Sequence, residues 1–146
     1  MRQLHTSIIT DTVARLCIEA NKILPDDLCD TISCAAKAET DLLAANIMHD
    51  IESNISAAKK LDIPVCQDTG MAVVFIKLGQ EVHLVGGTLS DAVNEGVRRG
   101  YNEGYLRKSV VADPLRRVNT NDNTPAILHL ELTSGDKVEI TVAPKG

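Results

Sequence analysis

Apolar residues recur at helical spacing from residue 6 to residue 62, and this pattern predicts three helices. The first helix carries one apolar row, in which the spacing alternates between four and three: Ile9, Val13, Leu16, Ala20 and Ile23. Because such spacings keep side chains on one side of a helix, we expect this row to pack inward.

Proline and acidic residues mark the limits of the next two predicted helices. Pro25 begins the second helix, with Asp26 and Asp27 in its first turn, where carboxylates complement the helix dipole. Its predicted buried stripe consists of Leu28, Ile32 and Ala35. The third helix starts at about Thr40, and its apolar rows contain Leu43, Ile47, Ile51, Ile55 and Ala58. It should end before Pro64, because a residue that precedes proline is disfavoured in the helical region.

Beyond these helices the periodicity becomes that of strands. The nearly continuous apolar run at 72–78 predicts a strand that is buried on both faces. Gly79-Gln80 then predicts a turn into a second strand at 81–85, which together form a hairpin. Apolar and polar residues alternate at 128–132 and again at 138–142, which predicts a second antiparallel hairpin.

A fourth helix and a long loop separate the two predicted hairpins. Thr88 and Asp91 predict a start similar to a capping box. One side of this helix has only glycines, at Gly96, Gly100 and Gly104. That side predicts close packing against another backbone, with a docking surface as the alternative. Residues 105–125 are polar and carry proline, so they predict a long loop of the kind that is often functional.

Helices first and strands later predict an α+β fold, with N-terminal helices packed on antiparallel β-hairpins. A length of 146 residues predicts a single domain over 1–146. No apolar run reaches the ~18 residues of a membrane span, and Arg2, His5 and Asp11 interrupt any signal-peptide core. We therefore expect a cytoplasmic protein whose four cysteines are free, buried or metal-bound.

Composition argues against a nucleic-acid partner. The net charge is −5, and one Phe, two Tyr and no Trp leave few stacking platforms for bases. Six of the 15 basic residues nevertheless fall within one short stretch: Arg98, Arg99, Arg107, Lys108, Arg116 and Arg117. This stretch predicts either a cationic patch for a small anion or a solvated basic face.

The segment with the strongest chemical signal runs from Ile63 to Gly70. Pro64 fixes the approach of the chain and Gly70 permits a tight exit, so the side chains between them project from a bend. A cysteine presented in this way, Cys66, is suited to act as a thiolate ligand or a nucleophile. A turn that merely holds a polar cluster is the alternative.

Four segments together resemble the class I fumarase and tartrate dehydratase α-type hydro-lyases. They are Pro-Val-Cys-Gln-Asp-Thr-Gly at 64–70, Tyr-Leu-Arg-Lys-Ser at 105–109, Asn-Thr-Asn-Asp-Asn-Thr-Pro-Ala at 119–126 and Ala-Pro-Lys-Gly at 143–146. Their order and spacing match over nearly the whole chain, which therefore resembles the N-terminal part of such an α subunit. Among these enzymes, the fumarate hydratase α subunit is the most similar.

The resemblance implies reversible hydration of fumarate to malate, with a [4Fe-4S] cluster as Lewis acid. The site that it implies consists of the metal ligand Cys66, the catalytic residue Asp68, and the substrate-binding residues Gln67, Arg107, Lys145 and Gly146. Arg107 would hold a substrate carboxylate, for which a planar guanidinium is well shaped. The position of Lys145 is also typical of a solvated terminus.

In the family that the chain resembles, the other two cluster cysteines lie downstream of residue 146. Cys17, Cys29 and Cys34 fall in predicted helices, where we expect small buried hydrophobic residues rather than ligands. The four histidines, His5, His49, His83 and His129, form no metal-ligand spacing. We therefore expect the 146-residue chain to lack a stable cluster and activity by itself. Its implied partners are a C-terminal half or a separate β subunit, in a homo- or hetero-oligomer.

Other functions remain open on the sequence. The substrate could be tartrate instead of fumarate. Cys66 could serve a thiol enzyme or a redox sensor, although no resolving cysteine or paired histidine stands near it in sequence. A non-catalytic interaction module and a phosphate site at Gly86-Gly87-Thr88 are further alternatives.

Overall fold

The computed structural model describes residues 1–146 and contains four helices and five strands. The helices are α1 (Thr6–Lys22), α2 (Asp26–Ala38), α3 (Leu42–Leu61) and α4 (Leu89–Glu103). The strands are β1 (Arg2–His5), β2 (Met71–Gly79), β3 (Val82–Val85), β4 (Ile127–Thr133) and β5 (Val138–Lys145). The predicted α+β class and its three N-terminal helices are confirmed. No helix has both the length and the apolar character that crossing a membrane requires.

Contacts divide the chain into two compact units. The first unit combines Met1–Ala20 with Asp68–Gly146, and the second consists of Asn21–Gln67. The division falls inside the segment at 64–70 that the sequence singled out, between Gln67 and Asp68. The single domain over 1–146 stays a prediction.

The first unit contains a three-stranded sheet whose order is β4-β2-β5. β2 lies in the centre, parallel to β4 and antiparallel to β5, so that Val74 is opposite both Leu128 and Val142. A separate two-stranded sheet pairs β1 with β3 in parallel. The predicted antiparallel hairpins are therefore wrong: β3 pairs with β1 instead of β2, and β4 does not pair with β5. Turn residues indicated where strands end, but the choice of partner depends on long-range contacts, and β1 was not predicted.

Only one face of β2 is buried, which corrects the prediction that both faces are. Ala72, Val74 and Ile76 belong to the hydrophobic core that β2 shares with α1 and α4. On the opposite face Phe75 is 44% exposed, and its ring stacks on His129 with centroids 4.9 Å apart. The long apolar run therefore reflects a central strand, not one that is covered on both sides.

The inward face of α1 differs in part from the predicted row. Ile9 and Val13 are fully buried as expected, but Leu16 is only half-buried, and the other buried apolar positions are Ala14 and Cys17. Ala20 is exposed, and Ile23 lies beyond the last residue of the helix. The buried side of α1 is set by its contact with α4, which a row of apolar residues in α1 alone does not reveal.

The second unit is a hairpin of α2 and α3. α3 begins with a side-chain cap, since Asp41 accepts a hydrogen bond from the Ala44 amide, and it ends before Pro64 as predicted. The predicted stripe of α2 has no buried residue, and in α3 only Ala58 is buried, while Leu43 is 70% exposed. The burial predicted for these rows is thus wrong, because two helices in a hairpin cover only the faces that they share.

The glycine side of α4 packs directly against α1, as the preferred interpretation predicted. A Cβ atom on Gly96 would lie 2.7 Å from the Thr10 carbonyl oxygen. One on Gly100 would lie 2.7 Å from the Ala14 carbonyl oxygen. Because α1 occupies this side, it is not a docking surface.

Replacing Gly100 with alanine should therefore destabilise the chain. The added methyl group would force α1 and α4 apart, and such overpacking costs about 1–3 kcal/mol. The better helix propensity of alanine offsets about 1 kcal/mol of this. In urea unfolding we expect G100A to lower the free energy of unfolding, and Ser90→Ala, at an exposed position of α4, to change it little. Equal stability of the G100A variant and the wild type would contradict this packing.

Candidate functional site

The exit from the segment at 64–70 is fixed by a contact that only glycine permits. Gly70 has a φ of +59°, and a Cβ atom there would lie 2.1 Å from the Lys145 carbonyl oxygen. The start of β2 therefore lies directly against the end of β5. One residue earlier, the Thr69 side chain is buried, while Asp68 is exposed.

This close approach brings three of the predicted site residues together. A Cβ atom on Gly146 would lie 2.9 Å from Oδ2 of Asp68, so the backbone of Gly146 borders the Asp68 carboxylate. The Asp68 carboxylate also accepts a hydrogen bond from the Gly70 amide at 3.2 Å. Lys145 Nζ lies 3.3 Å from the Gly146 carbonyl oxygen. Gly146, which the resemblance assigned to substrate binding, thus borders the predicted catalytic carboxylate.

Two hydrogen bonds join Thr69 to the backbone of Arg107 and to Tyr101 of α4. The Thr69 hydroxyl donates to the Arg107 carbonyl oxygen at 2.9 Å. The hydroxyl of Tyr101, which is 1% exposed, donates to the Thr69 carbonyl oxygen at 2.8 Å. The Arg107 side chain is exposed and makes no hydrogen bond or ion pair within the chain. Its guanidinium therefore keeps its donors for another molecule.

A fully buried asparagine completes this network. Asn123 Oδ1 accepts hydrogen bonds from the amides of Ser109 and Val110, at 2.7 and 3.2 Å. Its Nδ2 donates to the Gly70 carbonyl oxygen at 3.0 Å. The sequence placed Asn123 in a polar loop and gave it no role, just as it gave none to Thr69 and Tyr101. Asn123 has a positive φ of +61°, which asparagine tolerates better than most residues. An asparagine within a segment that resembles the family was therefore the sequence signal that could have pointed to this position.

Cys66 and Gln67 belong to the second unit, at its C-terminal end. Both are exposed, and Cys66 forms no disulfide. Two hydrogen bonds hold the backbone of Val65, the residue before Cys66. The Val65 backbone amide donates to the Asn21 carbonyl oxygen at 2.9 Å, and the side-chain amide of Asn54 donates to the Val65 carbonyl oxygen at 2.8 Å. The backbone that leads into Cys66 is therefore anchored to the end of α1 and to α3.

The other cysteines do not make up a ligand set for a metal cluster. Cys17 is fully buried, and burial raises the pKa of its thiol to about 12, so it stays protonated at neutral pH. Cys29 is half-buried, whereas Cys34 is exposed, which corrects the prediction that it is buried in α2. No group of three His, Cys, Asp or Glu side chains is placed to hold a metal ion. A [4Fe-4S] cluster takes three or four protein ligands, so the residues of this chain alone do not fit it.

The basic stretch from Arg98 to Arg117 is less cationic than its composition suggested. Arg98 forms ion pairs with Glu95 and with Asp122, the latter at 3.1 Å. Arg99 pairs with Asp11 at 2.8 Å and with Glu103. These two cations are neutralised by acids, most of them outside the stretch, while Arg107, Arg116 and Arg117 have no such partner.

The Gly86-Gly87-Thr88 turn borders a cavity of about 350 Å³. Asp91 and Glu95 also line this cavity, and the Thr88 hydroxyl already donates to the Asp91 carboxylate at 2.7 Å. The predicted cap of α4 is thus confirmed. Because a carboxylate occupies the helix N-terminus, the geometry argues against the phosphate site considered from the sequence.

Comparison with known proteins matches nearly the whole chain, including the residues of the candidate site. A model of the fumarate hydratase (Fumerase) family matches residues 10–146. The chain belongs to this fumarate hydratase family. The match includes all four segments that carried the resemblance, at 64–70, 105–109, 119–126 and 143–146.

Curated relatives in the fumarate hydratase family agree with this assignment. A putative L(+)-tartrate dehydratase subunit alpha of Methanocaldococcus jannaschii is 32% identical over 144 residues, which is 94% of this chain and 50% of the relative. The L(+)-tartrate dehydratase subunit alpha of Escherichia coli (strain UTI89) is 30% identical over 149 residues, or 99% of this chain and 48% of the relative. The chain therefore spans about half the length of the relatives that it matches.

Asp122 connects the family-like loop at 119–126 to α4 and gives that loop a pH dependence. Burial alone would raise its pKa, but hydrogen bonds from the hydroxyl and amide of Thr124 and from Arg98 lower the pKa to about 2. A depressed folded-state pKa stabilises the fold above the unfolded pKa of ~3.9, and this stabilisation is lost as the pH falls towards 2.

We therefore expect Asp122→Asn to remove part of the decrease in the free energy of unfolding that the chain shows at low pH. At pH 6 the variant should unfold more easily in urea, by no more than about 1 kcal/mol because solvent partly screens this half-buried group. The difference from the wild type should shrink as the pH falls from 5 through 2, since Asp122 itself becomes uncharged below its folded-state pKa. A difference that does not vary with pH would contradict the assignment.

Proposed function

We propose that this chain is part of a hydro-lyase that reversibly hydrates fumarate to malate. One observation carries the proposal: three segments of the chain meet at residues 68–70. The Asp68 carboxylate accepts from the Gly70 amide, the Thr69 hydroxyl donates to the Arg107 carbonyl oxygen, and the backbone at 145–146 lies against Gly70. These residues come from separate family segments, and a family model for fumarate hydratase covers them all. Convergence of dispersed segments on one point is typical of a site and unnecessary for packing alone.

The residues take roles that follow from their chemistry. The exposed Arg107 guanidinium binds a carboxylate of the substrate, with two parallel N–H donors that match its two oxygens. Asp68 accepts or returns the proton at the carbon next to the site of hydration, in keeping with an exposed carboxylate beside a backbone turn. Gln67 donates to the second carboxylate or the hydroxyl of the substrate. Backbone and side-chain donors of Lys145 and Gly146 line the same end of the site.

Cys66 is proposed as one thiolate ligand of a [4Fe-4S] cluster. Its exposure leaves the sulfur accessible to iron, and two peptide units keep its Cα within about 7 Å of that of Asp68. When bound, the cluster would supply Lewis-acid activation of the substrate hydroxyl. The remaining ligands must come from outside these residues, since the other cysteines do not assemble with Cys66 into a ligand group.

The partner of the chain follows from the same reasoning. The relatives are named alpha subunits, and this chain spans about half of their length. We propose that the complete enzyme includes the C-terminal half of a family-length chain or a separate β subunit, in a homo- or hetero-oligomer. We also propose a cytoplasmic location and no nucleic-acid or membrane partner.

A tartrate dehydratase is the second candidate function. The relatives reported above carry that name, whereas the family model carries the name of fumarate hydratase. Both substrates are diacids with the same need for an arginine clamp, so the residues of this chain serve either one. Assays of fumarate hydration and of tartrate dehydration on the same preparation decide between them.

The thiol-based alternative predicts a different behaviour of Cys66. A catalytic or sensing thiol reacts rapidly with alkylating reagents in the absence of iron, because it is held as a thiolate. A cluster ligand should react at an ordinary rate without iron and become protected once the cluster is built. Measuring alkylation of wild type and Cys66→Ser before and after reconstitution separates the two.

The cluster proposal is tested by substituting Cys66 in the complete assembly. After anaerobic incubation with iron and sulfide, the wild-type assembly should bind a [4Fe-4S] cluster and hydrate fumarate, and C66S should do neither. Cys34→Ser, at another exposed cysteine, is the matched control and should retain both. The 146-residue chain alone should remain without a cluster and inactive. A cluster of normal iron content in C66S would refute the assignment.

The role of Arg107 is tested by comparing two arginines that have no internal partner. Arg107→Lys keeps the charge but loses the planar pair of donors, so we expect kcat/KM to fall about 10- to 100-fold, mainly through KM. Arg116→Lys makes the same change at a position outside the network and should leave kcat/KM within about twofold. Equal losses in the two variants would show that the loss is not specific to position 107 and would remove Arg107 from the site.

A further inference from the structure

Asn123 is the only side chain that bonds both to the Gly70 carbonyl oxygen and to the backbone that follows Arg107. It is fully buried, and every polar atom of its side-chain amide group faces a backbone group. Gly70 stands two residues after Asp68, and Ser109 stands two residues after Arg107. One side chain thus bonds to the two backbone segments that carry the proposed proton-transfer and substrate-binding groups.

An amide side chain supplies both the acceptor and the donor that these contacts need. Its oxygen accepts from the amides of Ser109 and Val110 while its nitrogen donates to the Gly70 carbonyl oxygen. An ionised carboxylate of the same shape would accept but could not donate. The contacts span large sequence separations, 53 residues to Gly70 and 14 to Ser109, so no local turn can replace them.

We propose that Asn123 is a positioning residue that sets the separation and orientation of Asp68 and Arg107. The proposal rests on the function proposed above for those two residues. Asn123 touches neither substrate nor cluster and acts only through Gly70 and the backbone at 109–110. Its role is to hold the arginine clamp at one fixed distance from the carboxylate, since a reacting geometry tolerates little displacement.

The test uses Asn123→Asp, which keeps the acceptor of Asn123 and removes its donor. Asn121→Asp is the matched control, because Asn121 lies in the same loop and has a similar positive φ of +66°, but is exposed and bonds only within the loop. A second variant, Asn123→Gly, fits the positive φ of +61° and leaves space for water, in case N123D does not fold.

The first measurement is structural and does not depend on activity. In amide NMR spectra of the chain, N123D or N123G should shift the signals of both 68–70 and 107–110, whereas N121D should shift neither group. If the signals at 107–110 stay in place while those at 68–70 move, or the reverse, the amide does not couple the two segments and the proposal is overturned.

The second measurement distinguishes positioning from general stabilisation. In the complete assembly we expect N123D to lower kcat/KM about 10- to 100-fold at a temperature where it is fully folded. In an Arg107→Ala background the same substitution should cost about twofold or less, since there is no clamp left to misplace. Equal losses in both backgrounds would overturn the proposal. An assembly that neither hydrates fumarate nor dehydrates tartrate would refute the proposed function and leave the NMR measurement to decide the role of Asn123.

Discussion

The contact between Gly70 and the Lys145 carbonyl oxygen is the constraint on which the rest of the site depends. With 2.1 Å between that oxygen and the place of a Cβ atom, any side chain at Gly70 would separate β2 from the end of β5. The register that pairs Met71 with Lys145 follows from this approach. It also leaves the Gly70 carbonyl oxygen facing Asn123, so one backbone contact determines both the sheet edge and the network behind it.

The distribution of ion pairs distinguishes Arg107, whose guanidinium is available to bind a diacid, from two neighbouring arginines of the basic stretch. Arg98 and Arg99 lie on α4 and are paired with acids of other segments, Asp122 and Asp11. These pairs fasten the loop and α1 to α4 and leave little charge for a ligand. Arg107 is held by its backbone carbonyl oxygen instead, through Thr69, so its guanidinium remains available. The same residue type therefore serves structure in one place and recognition in another.

Sequence reasoning succeeded where the deciding interactions are local. The limits of the helices, the Thr88 cap and the glycine side of α4 follow from spacings of three and four residues. It failed for strand pairing, because β1 recruits β3 and β2 separates β4 from β5 through contacts that no turn signal encodes. It also overestimated burial in α2 and α3, since an apolar row shows that a face can be covered but not that a neighbour is present in these 146 residues.

The residues of the candidate site likewise fall into those that sequence reasoning found and those that it missed. Asp68, Arg107, Lys145 and Gly146 were found because a resemblance supplied them, whereas Thr69, Tyr101 and Asn123 were not. These last three are polar groups inside the core, and burying them is favourable only because each is hydrogen-bonded. Charge marks none of these residues, and hydrophobic periodicity marks only Tyr101, as a further apolar position four residues after Val97. Their part in the site is shown by burial and hydrogen bonding, which appear only once the chain is folded. The motifs themselves indicate which chemistry a site performs. The way in which the site is held together is indicated by a fully buried polar side chain that bonds to the backbone of two separate motifs.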